Sequence, residues 1–114
     1  MGTGQGGIAQ ADGMKIRILA SALNDLADGR RFYERQGEGL GEYFLDSLFS
    51  DIDSLALYAG IHRKVFGLHR LLSKRFPYAI YYAVDADGVA MIYRVLDCRQ
   101  NPDKTRAALR RSAQ

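Results

Sequence analysis

The groups in this sequence that could act on a substrate are few: His62 and His69, the single thiol of Cys98, and a late series of cations, Arg70, Lys74, Arg75, Arg94 and Arg99, interleaved with tyrosines. His69 beside Arg70 joins a proton shuttle to an anion-binding group, because imidazole titrates near neutrality. A lone imidazole with no second base at motif spacing is more often a surface or partner contact, and His62 falls in an irregular segment. Cys98 sits beside Arg99, whose guanidinium favours a thiolate. No histidine is tied to it by a motif, so it reads as a buried, inert thiol. Tyr78, Tyr81, Tyr82 and Tyr93 offer faces for base stacking, yet aromatics at alternate strand positions usually fill cores and cross-strand pairs. Lys74-Arg75 reads as a solvated loop between strands. Gly39-Leu40-Gly41 lacks the preceding strand and the length of a phosphate loop, which makes it a helix-start turn. One cysteine excludes an intramolecular disulfide, and with only two histidines it excludes a Cys/His zinc cage; no metal and no cofactor is expected.

At 114 residues the chain allows one domain with one small core and excludes a two-domain enzyme with a cleft between its halves. With 47% hydrophobic and 25% charged residues, it is neither disordered nor fibrous. No stretch approaches the roughly 20 apolar residues of a membrane helix, and the N-terminus lacks the layout of a secretory signal. A cytoplasmic protein with no membrane partner is expected. Charge is divided unevenly: residues 1–60 carry five Lys/Arg against nine Asp/Glu, and residues 61–114 carry eleven against four. The cationic C-terminal half predicts a face that attracts phosphates or an acidic protein.

The elements that must position these groups follow from periodicity. Residues 1–13, with five glycines and little to bury, read as a flexible leader or an expression remnant, with Met14 as a natural start; residues 14–114 form the single domain. Ile16 and Ile18 alternate with Lys15 and Arg17 in a short half-buried strand ending near Leu19. Ser21 is placed to cap a helix carrying Ala22, Leu23, Leu26 and Ala27 and continuing to Phe32 and Tyr33. After Gly37-Glu38-Gly39, the spacing of Leu40, Phe44, Leu48, Ile52, Leu55 and Ala59 predicts a second helix over 40–58. The two helices form a hairpin that needs a cover. Three strands supply it, over 69–73, 78–85 and 89–97, with Asp87-Gly88 turning the last two. Both faces of the 78–85 strand are apolar, so it should lie inside the sheet, with Ala90, Ile92, Arg94 and Leu96 sharing one face of its neighbour. Asn101-Pro102-Asp103 opens a short last helix. The fold class is α+β: an N-terminal strand, then a helical hairpin packed on an antiparallel sheet in the order β-α-α-β-β-β.

This order, together with Gly39-Leu40-Gly41, Arg75-Phe76-Pro77-Tyr78-Ala79-Ile80-Tyr81-Tyr82 and Arg99-Gln100-Asn101-Pro102, resembles the RelE/ParE toxin superfamily of bacterial type II toxin-antitoxin systems, most nearly its ParE, plasmid-stabilisation branch, over residues 14–111. The resemblance implies a helical hairpin on an antiparallel sheet, an acidic cognate antitoxin, and one of two activities. RelE-like members cut mRNA on the ribosome, and ParE-like members poison DNA gyrase. RNA cleavage needs a proton acceptor, a proton donor and cations on the developing phosphorane charge. Where the nucleases carry a basic residue after the strand tyrosine, this chain has Ala79, and residues 99–114 hold neither Tyr nor His. A non-enzymatic inhibitor of gyrase or a related replication target is therefore the leading reading. The alternatives are a ribosome-dependent endoribonuclease, and a detoxified relative that keeps only antitoxin or nucleic-acid binding. On either toxin reading Arg70, Lys74, Arg75, Arg94 and Arg99 meet the target, and in a nuclease they would serve catalysis. Antitoxin anchors are expected at Leu48, Ile52, Tyr78, Ile80 and Tyr82, because two helices cover only one face of the middle strand; without antitoxin, a homodimer would cover the other.

Overall fold

β1 (Lys15–Ile18) leads into α1 (Ala20–Gln36), α2 (Leu40–Asp53) and the single turn α3 (Leu55–Tyr58), followed by β2 (Lys64–Val65), β3 (Leu68–Leu72), β4 (Tyr78–Val84), β5 (Val89–Asp97) and α4 (Pro102–Ala113). This computed structural model describes residues 14–113; the leader read at 1–13 lies outside the described residues. The predicted order holds, with β2 added before β3 and the second helix broken at Ser54. There the Ser54 hydroxyl donates to the Asp51 carbonyl at 2.6 Å, competing with the helix ladder as serine side chains do.

The sheet runs β1-β5-β4-β3-β2 and is mixed, a departure from the antiparallel expectation. β2 to β5 pair antiparallel, whereas β1 lies parallel to β5 with Ile16 opposite Ala90 and Ile18 opposite Ile92. Alternation in a sequence reports a buried face and carries no strand direction; the helices and the strands β2 to β4 between β1 and β5 supply the long connection that a parallel pair requires. A second departure is a bulge. Tyr81 stands opposite Arg94 but Tyr82 stands opposite Ile92, so Tyr93 is an extra residue that reverses the alternation. Ala90, Ile92 and Val95 pack beneath the helical hairpin, while Leu96 packs toward α4. The expected Ala90, Ile92, Arg94, Leu96 face is thus divided.

Each face of β4 has its own cover. Tyr78, Ile80 and Tyr82 join Leu26, Phe44, Leu48 and Ile52 of the hairpin, and on the other side Ala79 and Tyr81 join Ala108 and Leu109 of α4. The C-terminal helix therefore removes the uncovered face on which self-association was expected. Gly29 sets the hairpin's spacing, since a Cβ there would lie 2.5 Å from the Phe44 ring.

Where β1 stops, α1 completes the edge of β5 with side chains. Ser21 donates its hydroxyl to the Tyr93 carbonyl at 2.7 Å, and the Val95 N–H donates to Asp25 at 2.9 Å. Ser21 is consequently not the helix cap; α1 begins after Leu19 without a side-chain cap.

Candidate functional site

The five expected cations do not form one patch. Arg70 on β3, Tyr81 on β4 and Arg94 on β5 make a row across the sheet, but Arg94 is committed to the fold. Its Nε and Nη2 donate to the two Asp25 carboxylate oxygens at 2.7 and 2.8 Å, and its Nη1 donates to the Ala108 carbonyl. Both side chains are largely buried, and the Asp25 hydrogen bonds raise the arginine's pKa further. Arg94 ties α1, β5 and α4 together; as a target contact it is corrected.

Lys74, Arg75 and Arg99 share one end of the sheet. The chain after β5 joins the β3–β4 loop through the Cys98 N–H, which donates to the Pro77 carbonyl at 2.8 Å. The loop's own position comes from Asp51 on α2, a buried carboxylate that accepts from the Ser73 hydroxyl at 2.6 Å and the Lys74 N–H at 3.3 Å. Lys74 and Arg75 are exposed. Arg99 is also exposed and clasps Asp97, its Nε and Nη2 donating at 3.0 and 2.8 Å. Those bonds hold the Asp97 carboxyl below its ordinary pKa. Nothing in the sequence announces Asp51 as the group that fixes this loop, because its partners stand 22 and 23 residues away.

The two histidines meet on the opposite side of the sheet. The His69 ring stacks on Tyr82 with centroids 5.0 Å apart, and its Nδ1 lies 2.6 Å from the His62 carbonyl. Since a carbonyl only accepts, His69 carries its proton on Nδ1. The Tyr82 hydroxyl accepts the Gly60 N–H at 2.9 Å and is bonded to His62 Nδ1. Fully buried, the Tyr82 hydroxyl has no other acceptor among the described residues, so its own proton goes to His62, which accepts only while neutral. Burial, then the charge of His69, lowers the His62 pKa. Adjacent strand residues point to opposite faces, so the imidazole of His69 faces the hairpin side while Arg70 faces Tyr81 and α4.

Leu48, Ile52, Ile80 and Tyr82 are at most 1% exposed, and Tyr78 8%; all five are core groups with no surface for an antitoxin. The apolar side chains that do emerge on the hairpin include Phe32, Leu40 and Tyr43. Burial pushes the Tyr78 hydroxyl up to about 12, so it holds its proton at neutral pH. Cys98 is exposed rather than buried, yet partial burial of the thiol raises its pKa. The neighbouring Arg70 and Arg99 do not overcome this, and no thiolate is favoured. Gly39-Leu40-Gly41 is a helix start: the Gly39 and Gly41 N–H groups donate to the Glu34 carboxylate at 3.1 and 2.9 Å, which lowers its pKa. Among the described residues no group of three His, Cys, Asp or Glu side chains could hold a metal, and no helix is long and apolar enough to cross a membrane.

Against known proteins, the sequence model of one family, the ParE toxin of the type II toxin-antitoxin system parDE, matches residues 16–102, from β1 to the first residue of α4. No curated protein matches the chain. Among solved structures, a chain of the chromosomal ParDE TA system from P. aeruginosa is similar in fold, with 20% identity and a TM-score of 0.61, over 72% of this chain and 92% of that one.

Proposed function

Because the chain belongs to the ParE toxin family of type II toxin-antitoxin systems, we propose that it acts by binding rather than by breaking a bond, with DNA gyrase or a related replication enzyme of the cytoplasm as its target. The observation that supports this reading is the division of groups across the sheet. Strand cleavage by 2′-OH attack brings a proton acceptor and cations to one phosphate. Here His69 stacks on Tyr82 beneath the hairpin, His62 bonds the same tyrosine, and the cations lie elsewhere: half-buried Arg70 on the α4 side, exposed Lys74, Arg75 and Arg99 at the sheet end. A cationic sheet end whose loop is anchored by Asp51 is suited to a preformed contact surface.

The expected silencing partner is an acidic antitoxin. An amphipathic helix laid on the hairpin would find Phe32, Leu40 and Tyr43 at its surface, the recognition mode in which apolar anchors at helical spacing enter a groove.

Purified gyrase provides the test. Addition of the chain should inhibit supercoiling or accumulate cleaved DNA, and its induction in cells should start DNA-damage signalling while bulk mRNA stays intact. Codon-position cleavage of mRNA on translating ribosomes, with gyrase unaffected, would establish the nuclease reading instead.

A further inference from the structure

Val65 pairs with Leu68, leaving Phe66-Gly67 as a two-residue hairpin loop. Both have positive φ, 55° and 86°, as a type I′ turn requires, and the pair favoured there is Asn-Gly. Phe66 is the one non-glycine residue with positive φ among the described residues, a conformation in which a bulky side chain is an outlier. Core packing does not account for it, since Phe66 is 45% exposed. A strained residue kept at the surface directs attention to a function.

The ring stands among cations. The Arg106 guanidinium carbon lies 5.1 Å from its centroid. Phe66 and Arg70 line a cleft of about 180 Å³ on one side, and Phe66, Arg106 and Arg110 line another of about 300 Å³. Arg63 and Arg70 line a third, beyond Val65. Of these four arginines only Arg106 has a carboxylate within 4 Å among the described residues, Asp103 at 3.5 Å, and both side chains of that pair are exposed. All but the first residue of α4 lies beyond the family match.

We propose that this face, the β2–β3 turn with α4, binds single-stranded nucleic acid: a base stacks on Phe66, and Arg63, Arg70, Arg106 and Arg110 hold the phosphates on either side. Four arginines call for a polyanion. The exposed aromatic in their midst selects one with unstacked bases, because aromatic platforms bind single strands through base faces that a duplex keeps covered. An acidic protein segment would match the charge and leave the ring without a role. The proposal is independent of whether gyrase is the toxin's target.

The test is fluorescence anisotropy of the full chain with a labelled oligothymidylate of roughly 12 nucleotides, within the range of single-strand site sizes, beside a duplex of equal length and polyglutamate. The single strand should bind at least several-fold tighter than either. Its log K against log salt should have a slope of about −3, near −0.7 for each of the four phosphate contacts. Phe66→Gly removes ring and strain together; affinity should fall about tenfold with the slope unchanged and the thermal midpoint no lower. Phe66→Leu, which keeps the backbone strain and an apolar side chain, should lose affinity as well, while Phe66→Tyr should retain it. Arg106→Gln and Arg110→Gln should each flatten the slope by about 0.7. Wild-type affinity in Phe66→Gly and Phe66→Leu, or equal or tighter binding of the duplex or polyglutamate, would overturn the proposal.

Discussion

A histidine that accepts a proton from a buried phenol holds that bond only in its neutral form. His62 is in this position, with Tyr82 as donor, and its pKa is lowered from the ordinary 6.5. Below about pH 6.5 the unfolded chain then binds more protons than the folded one, so stability is full above that pH and falls as the pH drops through the window beneath it. His62→Asn keeps an acceptor that does not titrate. Between about pH 7.5 and 5.5 its thermal midpoint should fall less than that of the wild type; equal falls would show that His62 does not govern this dependence. Asp25 gives a second residue-scale prediction. Removing its carboxylate leaves Arg94 partly buried without its ion-pair partner and the Val95 N–H unsatisfied, so Asp25→Ala should destabilise by about 3 kcal/mol in chemical denaturation. Site residues were legible in the sequence as types and much less as partners. Lys74, Arg75 and Arg99 could be assigned to loops from local composition alone, and the structure leaves them exposed. Arg94 looked equivalent, because its counter-ion lies 69 residues away and no local spacing encodes it. The five expected antitoxin anchors are ambiguous in sequence for the same reason: apolar positions on a regular face are what a core also requires.

Among the elements, the hairpin shows how one backbone position sets a distance. The Phe44 ring is surrounded by Tyr33, Phe76 and Tyr78, with centroids 4.9 to 5.1 Å away, and is itself fully buried. It has little room to move aside for a Cβ at Gly29. Gly29→Ala should therefore destabilise by about 1–3 kcal/mol, despite alanine's better helix propensity; a thermal midpoint at or above the wild type would show that the helices separate easily. The two helices, the order of the main elements along the chain and the inside place of β4 were legible because each leaves a periodic trace in apolar residues. The parallel pairing of β1 and the bulge at Tyr93 left none. Alternation is indifferent to strand direction, and β5 reads as an unbroken nine-residue strand until its pairing with β4 is known. Ser21 failed as a cap because a better use existed for its hydroxyl: the Tyr93 carbonyl, at a sheet edge where β1 no longer supplies a donor.

For the whole molecule, the uneven charge of the two halves becomes a spatial arrangement only where the cations are free of the fold. Arg94 is not, and Arg70 faces α4, so the surface proposed to meet the target reduces to Lys74, Arg75 and Arg99 at the sheet end. All three are exposed, and substitutions of exposed charges generally change stability by no more than about 0.5 kcal/mol. In the Asp97–Arg99 pair the arginine side chain is 59% exposed and the half-buried carboxylate 29%. A triple variant, Lys74→Ala, Arg75→Ala and Arg99→Ala, should keep a thermal midpoint close to that of the wild type, since the loop is held by the Asp51 bonds to the Ser73 side chain and the Lys74 backbone, neither of which is altered. Toxicity at matched expression should nevertheless fall. Arg94→Ala provides the contrast: it should lower the midpoint and reduce toxicity only as far as it reduces folded protein. Undiminished toxicity of the triple variant would remove the sheet end from the mechanism. Arg106→Gln and Arg110→Gln would then show whether the target is met at the α4 face, where these two exposed arginines stand beside Phe66.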